Sequence, residues 1–253
     1  MARQKLGQHF LLRGSVLERI ARAACPEPEP LVIEIGPGRG ALTAHLLPRA
    51  ARLVAIEIDP LLVLHLAQKF AGDSHVQLVE ADALQTDLSQ WGVATIAGNL
   101  PYYVATPILE HVLQLGPVLH RAVFLLQKEV AQRAAAAPGS RTYGYLSVAT
   151  QLFADVDLLF DVKPAAFHPP PRVDSAVVRL TPRNRAAELG LADPRAFLRF
   201  VALCFQHKRK TIRNNVSSVY GRDLLEAWPE ASLRGEQIGM EQFAAMYHRL
   251  PAL

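Results

Sequence analysis

Cysteine is scarce in this 253-residue chain, which contains only Cys25 and Cys204. Two cysteines cannot build the disulfide framework of a small secreted domain, so we expect both thiols to be reduced and buried. No apolar run reaches the roughly 18 residues that a membrane span needs, and the N-terminus has no signal-peptide hydrophobic segment. The nine histidines are not accompanied by an HExxH or CxxC motif, so no metal site is expected. The sequence predicts a cytoplasmic protein.

Charge is distributed unevenly along the chain, although the whole carries a formal net charge of +4 and a pI of about 9.2. Residues 1–24 carry a net +4, residues 25–182 a net −4, and residues 183–253 a net +4. An acidic middle with basic ends is typical of a protein whose ends hold a polyanion. A merely solvated basic surface would give the same pattern, and charge alone leaves both interpretations open.

Short apolar runs alternate with helical patterns along most of the chain. The six clearest apolar runs, each a predicted strand, are residues 31–35, 52–58, 75–82, 92–98, 121–127 and 175–182. A further strand is predicted within the segment that follows Tyr145. Strands that alternate with helices at this spacing predict βαβ units and a mostly parallel sheet with helices on both faces. Ligands of such sheets bind beyond the carboxyl ends of the strands.

Side-chain signals predict where several helices begin. Ser15 and Glu18 form an S-x-x-E capping box for a helix over residues 16–24. Asp59, Thr106 and Asp193 each precede a proline, as an N-cap often does.

The pattern changes after Pro182, where a basic and helical segment begins. The sequence therefore predicts two domains, residues 1–182 with an N-terminal arm over residues 1–13, and a small helical domain over residues 183–253.

Polar groups follow four successive predicted strands. Gly36 and Gly38 lie in the GPGRG turn after the first strand, and such a turn lets a nucleotide approach bare backbone. Glu57 ends the second strand, where a carboxylate can accept both ribose hydroxyls of an adenosine. Asp82 ends the third strand, beside the expected adenine edge, and Asn99 ends the fourth. Each has an ordinary interpretation as a turn or cap, but the set predicts a nucleotide-like cofactor.

Several motifs together resemble a known enzyme family. VIEIGPGRGALT, IEID, EADAL and GNLPY resemble the ordered motifs of class I S-adenosylmethionine-dependent methyltransferases. GQHFL, LLQKEVAQR, YGYLSV, FHPPPRVDSAVVRL and CFQHKRKTIRNN resemble more narrowly the bacterial KsgA/RsmA family of ribosomal small-subunit adenine dimethyltransferases, which are related to eukaryotic Dim1. The resemblance implies a Rossmann-like α/β fold with a seven-stranded sheet, S-adenosyl-L-methionine as cofactor, and cofactor contacts at His9, Leu11, Gly36, Glu57, Asp82 and Asn99. The family usually has Asn at the positions of His9 and Tyr103; an imidazole can still form hydrogen bonds, and we interpret Tyr103 as a packing variant.

The segment AGNLPYYVATP, residues 97–107, is predicted to hold the target base. The side-chain carbonyl of Asn99 and the main-chain carbonyl of Leu100 would accept hydrogen bonds from the adenine amine and aim its lone pair at the methyl group. Pro101 would stiffen the loop, and Tyr102 would stack on the base. Phe167, in AFHPPP, resembles the family's second aromatic residue. The alternative is a tight turn whose tyrosine fills the core.

A basic cluster is predicted to bind RNA phosphates. It comprises Lys208, Arg209, Lys210 and Arg213, and in a helix Arg209 and Arg213 would share a face. Further contacts are expected from Arg141 in the PGSRTYG loop and from the N-terminal arm through Arg3, Lys5 and Arg13.

The expected activity is dimethylation of two adjacent adenines in the 3′-terminal hairpin loop of 16S rRNA, during assembly of the small ribosomal subunit. The expected partner is that RNA, with no membrane partner, and the chain is expected to be monomeric. Three alternatives remain: a related resistance methyltransferase that acts on large-subunit RNA, an assembly or transcription factor that has lost catalysis, and a nicotinamide dehydrogenase. Intact Glu57, Asp82 and Asn99 disfavour the second, and the glycine spacing disfavours the third.

Overall fold

The computed structural model describes residues 9–226 and 228–250, with nothing on the side chain of Asp223. The predicted RNA contacts at Arg3 and Lys5 lie outside the described residues. The described chain up to Ala131, together with Asp155–Pro182, forms one compact unit. Gln132–Ala154, together with the described residues from Arg183 onwards, forms a second. Residues 132–154 thus belong to the second unit, whereas the sequence analysis assigned them to the first domain.

The described strands form two sheets. They are β1 (Phe10–Leu11), β2 (Val32–Ile35), β3 (Leu53–Glu57), β4 (Val76–Glu80), β5 (Ala94–Asn99), β6 (Leu119–Gln127), β7 (Ala154–Val162), β8 (Phe167–His168) and β9 (Ser175–Pro182). Seven of them make one sheet in the order β4-β3-β2-β5-β6-β9-β7, and β1 pairs antiparallel with β8. Strands β2 to β6 run parallel, and β9 is antiparallel to β6. The predicted mixed α/β fold with a mostly parallel seven-stranded sheet is confirmed.

The described helices are interspersed with the strands up to β9, and after β9 they follow one another without an intervening strand. They are α1 (Gly14–Ala24), α2 (Thr43–Leu46), α3 (Pro60–Lys69), α4 (Ala105–Leu113), α5 (Lys128–Ala134), α6 (Tyr145–Gln151), α7 (Arg185–Glu188), α8 (Pro194–Cys204), α9 (Ile212–Tyr220), α10 (Asp223–Glu226) and α11 (Met240–His248). No helix among the described residues is long and apolar enough to cross a membrane.

Two of the four predicted helix caps are confirmed. Asp59 accepts a hydrogen bond from the amide of Leu61, and Asp193 caps α8 in the same way. The capping box at Ser15 is wrong, because α1 begins two residues earlier than predicted, at Gly14, and Glu18 instead binds Arg22 and two other basic side chains. Thr106 is also not a cap.

The structure places Thr106 inside α4, because the turn that begins at Pro101 leads straight into the helix. The amide of Val104 donates to Pro101 O over 3.1 Å, and the amide of Ile108 donates to Val104 O over 3.0 Å. Two residues therefore separate the helix from the NLPY segment, and a hydrogen-bonded turn joins the two.

Each unit has its own apolar core. Strands β2 and β3 are buried along their whole length, as expected for parallel strands covered on both faces. In the second unit, Val148 and Leu152 of the 132–154 segment pack in one buried cluster with Phe197, Phe200 and Phe243. This long-range packing, which has no local sequence signal, explains why residues 132–154 join the helical unit. Both cysteines are buried and unpaired.

Candidate active site

A cavity of about 290 Å³ lies in the first unit, at the carboxyl ends of β2, β3 and β5. Parallel strands bring their carboxyl ends to one edge, so residues far apart in sequence meet there. The structure thus brings together almost all predicted cofactor and catalytic residues. Those that line the cavity are His9, Leu11, Gly36, Gly38, Glu57, Asp82, Asn99, Leu100, Pro101 and Tyr102.

The glycine turn after β2 adopts a conformation that other residues rarely adopt. Gly36 and Gly38 have φ angles of +69° and +58°, in the left-handed region. A Cβ atom on Gly38 would approach the ring of Phe10 to 3.2 Å. The turn therefore presents backbone to the cavity without a side chain in between, although the amides of Gly36 and Gly38 already donate to Ile56 O and to Glu57.

Glu57 fixes this turn from the neighbouring strand. Its Oε2 accepts a hydrogen bond from the amide of Gly38 over 3.0 Å, and its Oε1 accepts from the amides of Ile58 and Asp59. A carboxylate has about four acceptor positions, so one remains, on Oε2. To accept two ribose hydroxyls, as the sequence predicts, Glu57 would have to release the amide of Gly38.

The side-chain amide of Asn99 has a fixed orientation. Its Nδ2 donates to the backbone carbonyl of His9 over 3.0 Å, which leaves Oδ1 as an acceptor without a partner among the described residues. The imidazole of His9 is held in turn, because its Nδ1 bonds to the carbonyl of Pro169 over 2.8 Å. The carbonyl only accepts, so Nδ1 carries the proton.

The rest of the NLPY segment is also held rigidly. Leu100 is buried, and its amide donates to Leu125 O over 3.2 Å. The hydroxyl of Tyr102 is 2.8 Å from the hydroxyl of the buried Ser175, and burial raises the pKa of Tyr102. Because Tyr102 is only partly buried and lines the cavity, its ring does not simply fill the core. The rings of Tyr102 and His9 lie side by side, with centroids 5.8 Å apart.

Phe167 is not brought into the cavity. It lies in β8, opposite Leu11 of β1, and is only 5% exposed within the core of the first unit. The antiparallel pairing of these two short strands turns its side chain into the core, and its contact with the target base stays a prediction. Asp82 does line the cavity, and its Oδ1 accepts from the amide of Leu84 over 2.9 Å.

Two important residues of this edge were missed from the sequence. Gly98 in β5 has no room for a side chain, because a Cβ atom there would lie 2.5 Å from Ile35 O. Glu34 in β2 lines the cavity at 1% exposure, and its Oε2 has no hydrogen-bond partner among the described atoms. Burial raises the pKa of Glu34 to about 7. The sequence signal that could have identified Glu34 was an acidic residue within an otherwise apolar strand.

The raised pKa of Glu34 predicts a pH-dependent stability. The unfolded chain releases this proton near the ordinary value of 4.5 and the folded chain only near 7, so stability is lost as the pH rises between these values. We expect Glu34→Gln to remove this loss, which amounts to at most about 3 kcal/mol at pH values above about 7. Urea unfolding at acidic and alkaline pH measures this loss of stability. Glu27→Gln, at an exposed position, is the control for the removal of one negative charge. Equal pH profiles of wild type and Glu34→Gln would contradict the prediction.

The predicted basic cluster and Arg141 lie in the second unit, but the cluster is not on one helix, and the predicted contact Arg13 is exposed before α1 in the first unit. Lys208, Arg209 and Lys210 are exposed in the loop before α9, and Arg213 is exposed in its first turn. Arg209 lies outside the helix, so the condition under which it would share a face with Arg213 is not met. Lys208 Nζ donates to the carbonyl of Arg141 over 2.8 Å, which joins the two predicted basic segments.

A buried asparagine organises this basic loop. Asn215 is 2% exposed; its Oδ1 accepts from the amide of His207, and its Nδ2 donates to the carbonyls of Cys204, His207 and Lys210. The sequence analysis missed its role, because Asn215 lies inside a helical pattern beside another asparagine. Its bonds keep the loop compact, so that its cations point outward together.

The sheet order, the glycine turn and the acids that follow β3 and β4 define a Rossmann-like class I methyltransferase fold. The crystal structure of a dimethyladenosine transferase from Plasmodium falciparum matches with a TM-score of 0.80 and 26% identity, covering 93% of this chain and 94% of that one. The crystal structure of the 23S rRNA methyltransferase ErmE matches with a TM-score of 0.72 and 27% identity, covering 95% and 99%.

Sequence comparisons give the family. The family model "Ribosomal RNA adenine dimethylase" matches residues 1–248. The ribosomal RNA small subunit methyltransferase A of Pseudomonas fluorescens is 41% identical, over 98% of this chain and 94% of its own. That of Acidobacterium capsulatum is also 41% identical, over 97% and 90%. The chain belongs to the ribosomal RNA adenine dimethylase family and is a ribosomal RNA methyltransferase, which confirms the family resemblance and the predicted enzyme class.

Proposed function

We propose that this enzyme transfers methyl groups from S-adenosyl-L-methionine to the N6 amines of two adjacent adenines in the 3′-terminal hairpin loop of 16S rRNA, within the assembling small subunit. The observation that carries the proposal is the fixed amide of Asn99, which lines the cavity together with the glycine turn and Tyr102 and whose Oδ1 has no partner among the described residues. The small-subunit target is supported by relatives of that name at 41% identity, against 27% for the large-subunit enzyme ErmE.

The cavity has the chemistry that this cofactor requires. S-adenosylmethionine supplies a methyl group activated on a sulfonium, so it brings positive charge as well as an adenosine. Glu34 Oε2, which is buried and has no hydrogen-bond partner among the described atoms, suits a cationic group. The remaining acceptor position of Glu57 suits a ribose hydroxyl, and Asp82 suits the adenine amine. Gly36, Gly38, His9 and Leu11 would enclose the cofactor on the side of the glycine turn and the β1 strand.

The NLPY segment would orient the acceptor amine. Asn99 Oδ1 accepts one amine hydrogen and the Leu100 carbonyl the other, which turns the nitrogen lone pair toward the methyl group. Among the described residues the Leu100 carbonyl accepts no other hydrogen bond. Tyr102, fixed by Ser175, offers its ring to the base, which must leave its stack to reach the cavity. Rate acceleration would come mainly from this alignment.

The basic loop of the second unit would hold the RNA backbone. Its exposed cations contact phosphates and supply affinity without sequence choice. The choice of site would then come from RNA shape and from unstacked single-stranded bases. We further propose that the enzyme acts as a monomer.

An assay of purified protein with labelled S-adenosylmethionine tests the proposal. We expect methyl transfer to unmethylated small ribosomal subunits, with N6,N6-dimethyladenosine as the product, and no transfer to naked large-subunit RNA. Activity only on large-subunit RNA would contradict the proposed target and favour the resistance-type activity. If calorimetry found no binding of S-adenosylmethionine, the noncatalytic alternative would be correct.

A further inference from the structure

Tyr103 is an exposed aromatic residue beside the active site. It lines the cavity next to Tyr102, but 61% of its surface is accessible, in contrast to the partly buried Tyr102. It makes no hydrogen bond and no ring contact with any described residue. The interpretation of Tyr103 as a packing variant is therefore wrong, because there is little for this ring to pack against.

The backbone of Tyr103 is nevertheless rigid. It lies in the turn closed by the bond from the amide of Val104 to Pro101 O, and α4 begins two residues later. The preceding residue, Tyr102, is fixed through its hydroxyl. A large aromatic side chain on a fixed backbone loses little conformational freedom when it binds a partner, which favours it as a contact surface.

The surroundings of Tyr103 are suited to a flat, apolar group. Leu12 is 60% exposed and also lines the cavity, so apolar side chains from two separate segments are accessible there. An everted adenine leaves its neighbours in the strand with unstacked faces, and aromatic side chains are the usual stacking partners of such bases.

We propose that Tyr103 is a positioning residue that stacks on the nucleotide directly flanking the everted adenine. This inference rests on the proposed function and deepens it, since it assigns a second base-binding position to the same site. In any one transfer, Tyr102 takes the base that reacts, and Tyr103 takes a neighbouring base that does not react in that step. Stacking on the flanking base is present both before and during methyl transfer, so it contributes uniform binding.

Kinetics on unmethylated small subunits test the proposal. Tyr103→Ala should raise KM for the subunits about 5- to 100-fold, the range that stacking on one base implies, and should leave kcat within about twofold. Tyr103→Phe should retain wild-type KM, because the ring remains, whereas Tyr103→Leu should behave like the alanine variant. Calorimetry should give the same S-adenosylmethionine affinity for all variants and so show that the cofactor site is intact.

To identify the stacked base, transfer to one adenine of the pair is followed on subunits in which the residue directly 5′ or directly 3′ of that adenine is abasic. On one of these substrates the KM of the wild type should rise as much as the KM of Tyr103→Ala rises on normal subunits. The KM of Tyr103→Ala on that abasic substrate should rise no further. Val93→Ala is the matched control, since Val93 is 59% exposed but precedes β5 at the opposite end of that strand.

The outcomes separate the two proposals. The stacking role would be overturned, with the enzyme still active, if the KM increases from Tyr103→Ala and from the abasic substrate were additive. A Tyr103→Ala variant with wild-type KM would also overturn it. Absence of methyl transfer by the wild-type protein would overturn the proposed function itself.

Discussion

Asn99→Ala should lose nearly all methyl transfer, at least about 100-fold in kcat, the range found when one preorganised polar group is removed from an active site. The structure gives the reason, because the bond from Asn99 Nδ2 to His9 O leaves only Oδ1 to accept from the substrate amine. Without this acceptor the amine loses its orientation, and no other described side chain of the NLPY segment can replace it. The measurement is single-turnover methyl transfer with labelled S-adenosylmethionine on unmethylated small subunits.

Binding measurements show whether this loss is specific to catalysis. The cofactor is held by several other residues, so Asn99→Ala should weaken S-adenosylmethionine binding by no more than about tenfold, the value of one ordinary hydrogen bond. Asn99→Gln is the matched control, since it keeps the amide but moves it by one methylene, and it should have intermediate activity. Wild-type turnover in Asn99→Ala would refute the assigned role.

The second large effect concerns RNA binding. Replacing Lys208, Arg209 and Lys210 together with alanine should weaken RNA affinity on the order of 100-fold at about 0.1 M salt, because three phosphate contacts are lost. The slope of log affinity against log salt should become shallower by about two to three units. All three side chains are exposed in one loop that Asn215 holds in place. Filter binding or fluorescence anisotropy over a series of salt concentrations measures both quantities.

A charge-matched variant separates phosphate contacts from overall charge. Arg195, Arg199 and Arg222 belong to the same unit and lie outside the loop, near the start of α8, within α8 and after α9. Their replacement by alanine removes three positive charges and should change the salt slope much less. An unchanged slope in the loop variant would move the RNA contact surface elsewhere.

The fold was largely predictable because its elements have strong local signals. Buried parallel strands appear as continuous apolar runs, and β2 and β3 are buried throughout. The cap at Asp59 was also readable, since an aspartate before a proline satisfies the first helical amides. Local signals failed where distant residues of the chain compete for the same side chain. Glu18 has basic partners far along the sequence, Arg49 among them, and does not form the predicted capping box.

The site was predictable in its residue types but not in its geometry. Strand order brings Gly36, Glu57, Asp82 and Asn99 to one edge, and motif order alone indicated this. The sequence could not show that His9 O holds Asn99, that Tyr103 is exposed, or that Phe167 is buried. Each of these depends on the pairing of β1 with β8 or on the turn before α4.

The sequence by itself determined the α/β alternation, the enzyme family and the types of residue at the strand ends, because these follow from local periodicity and from contiguous motifs. Only the tertiary structure decided that the amide of Asn99 is fixed with its acceptor Oδ1 unpartnered among the described residues, that Glu34 Oε2 is buried without a partner there, and that residues 132–154 belong to the helical unit. The physical reason is that hydrogen-bond direction, desolvation and core packing are set by groups far apart in the chain, and these meet only when the protein folds.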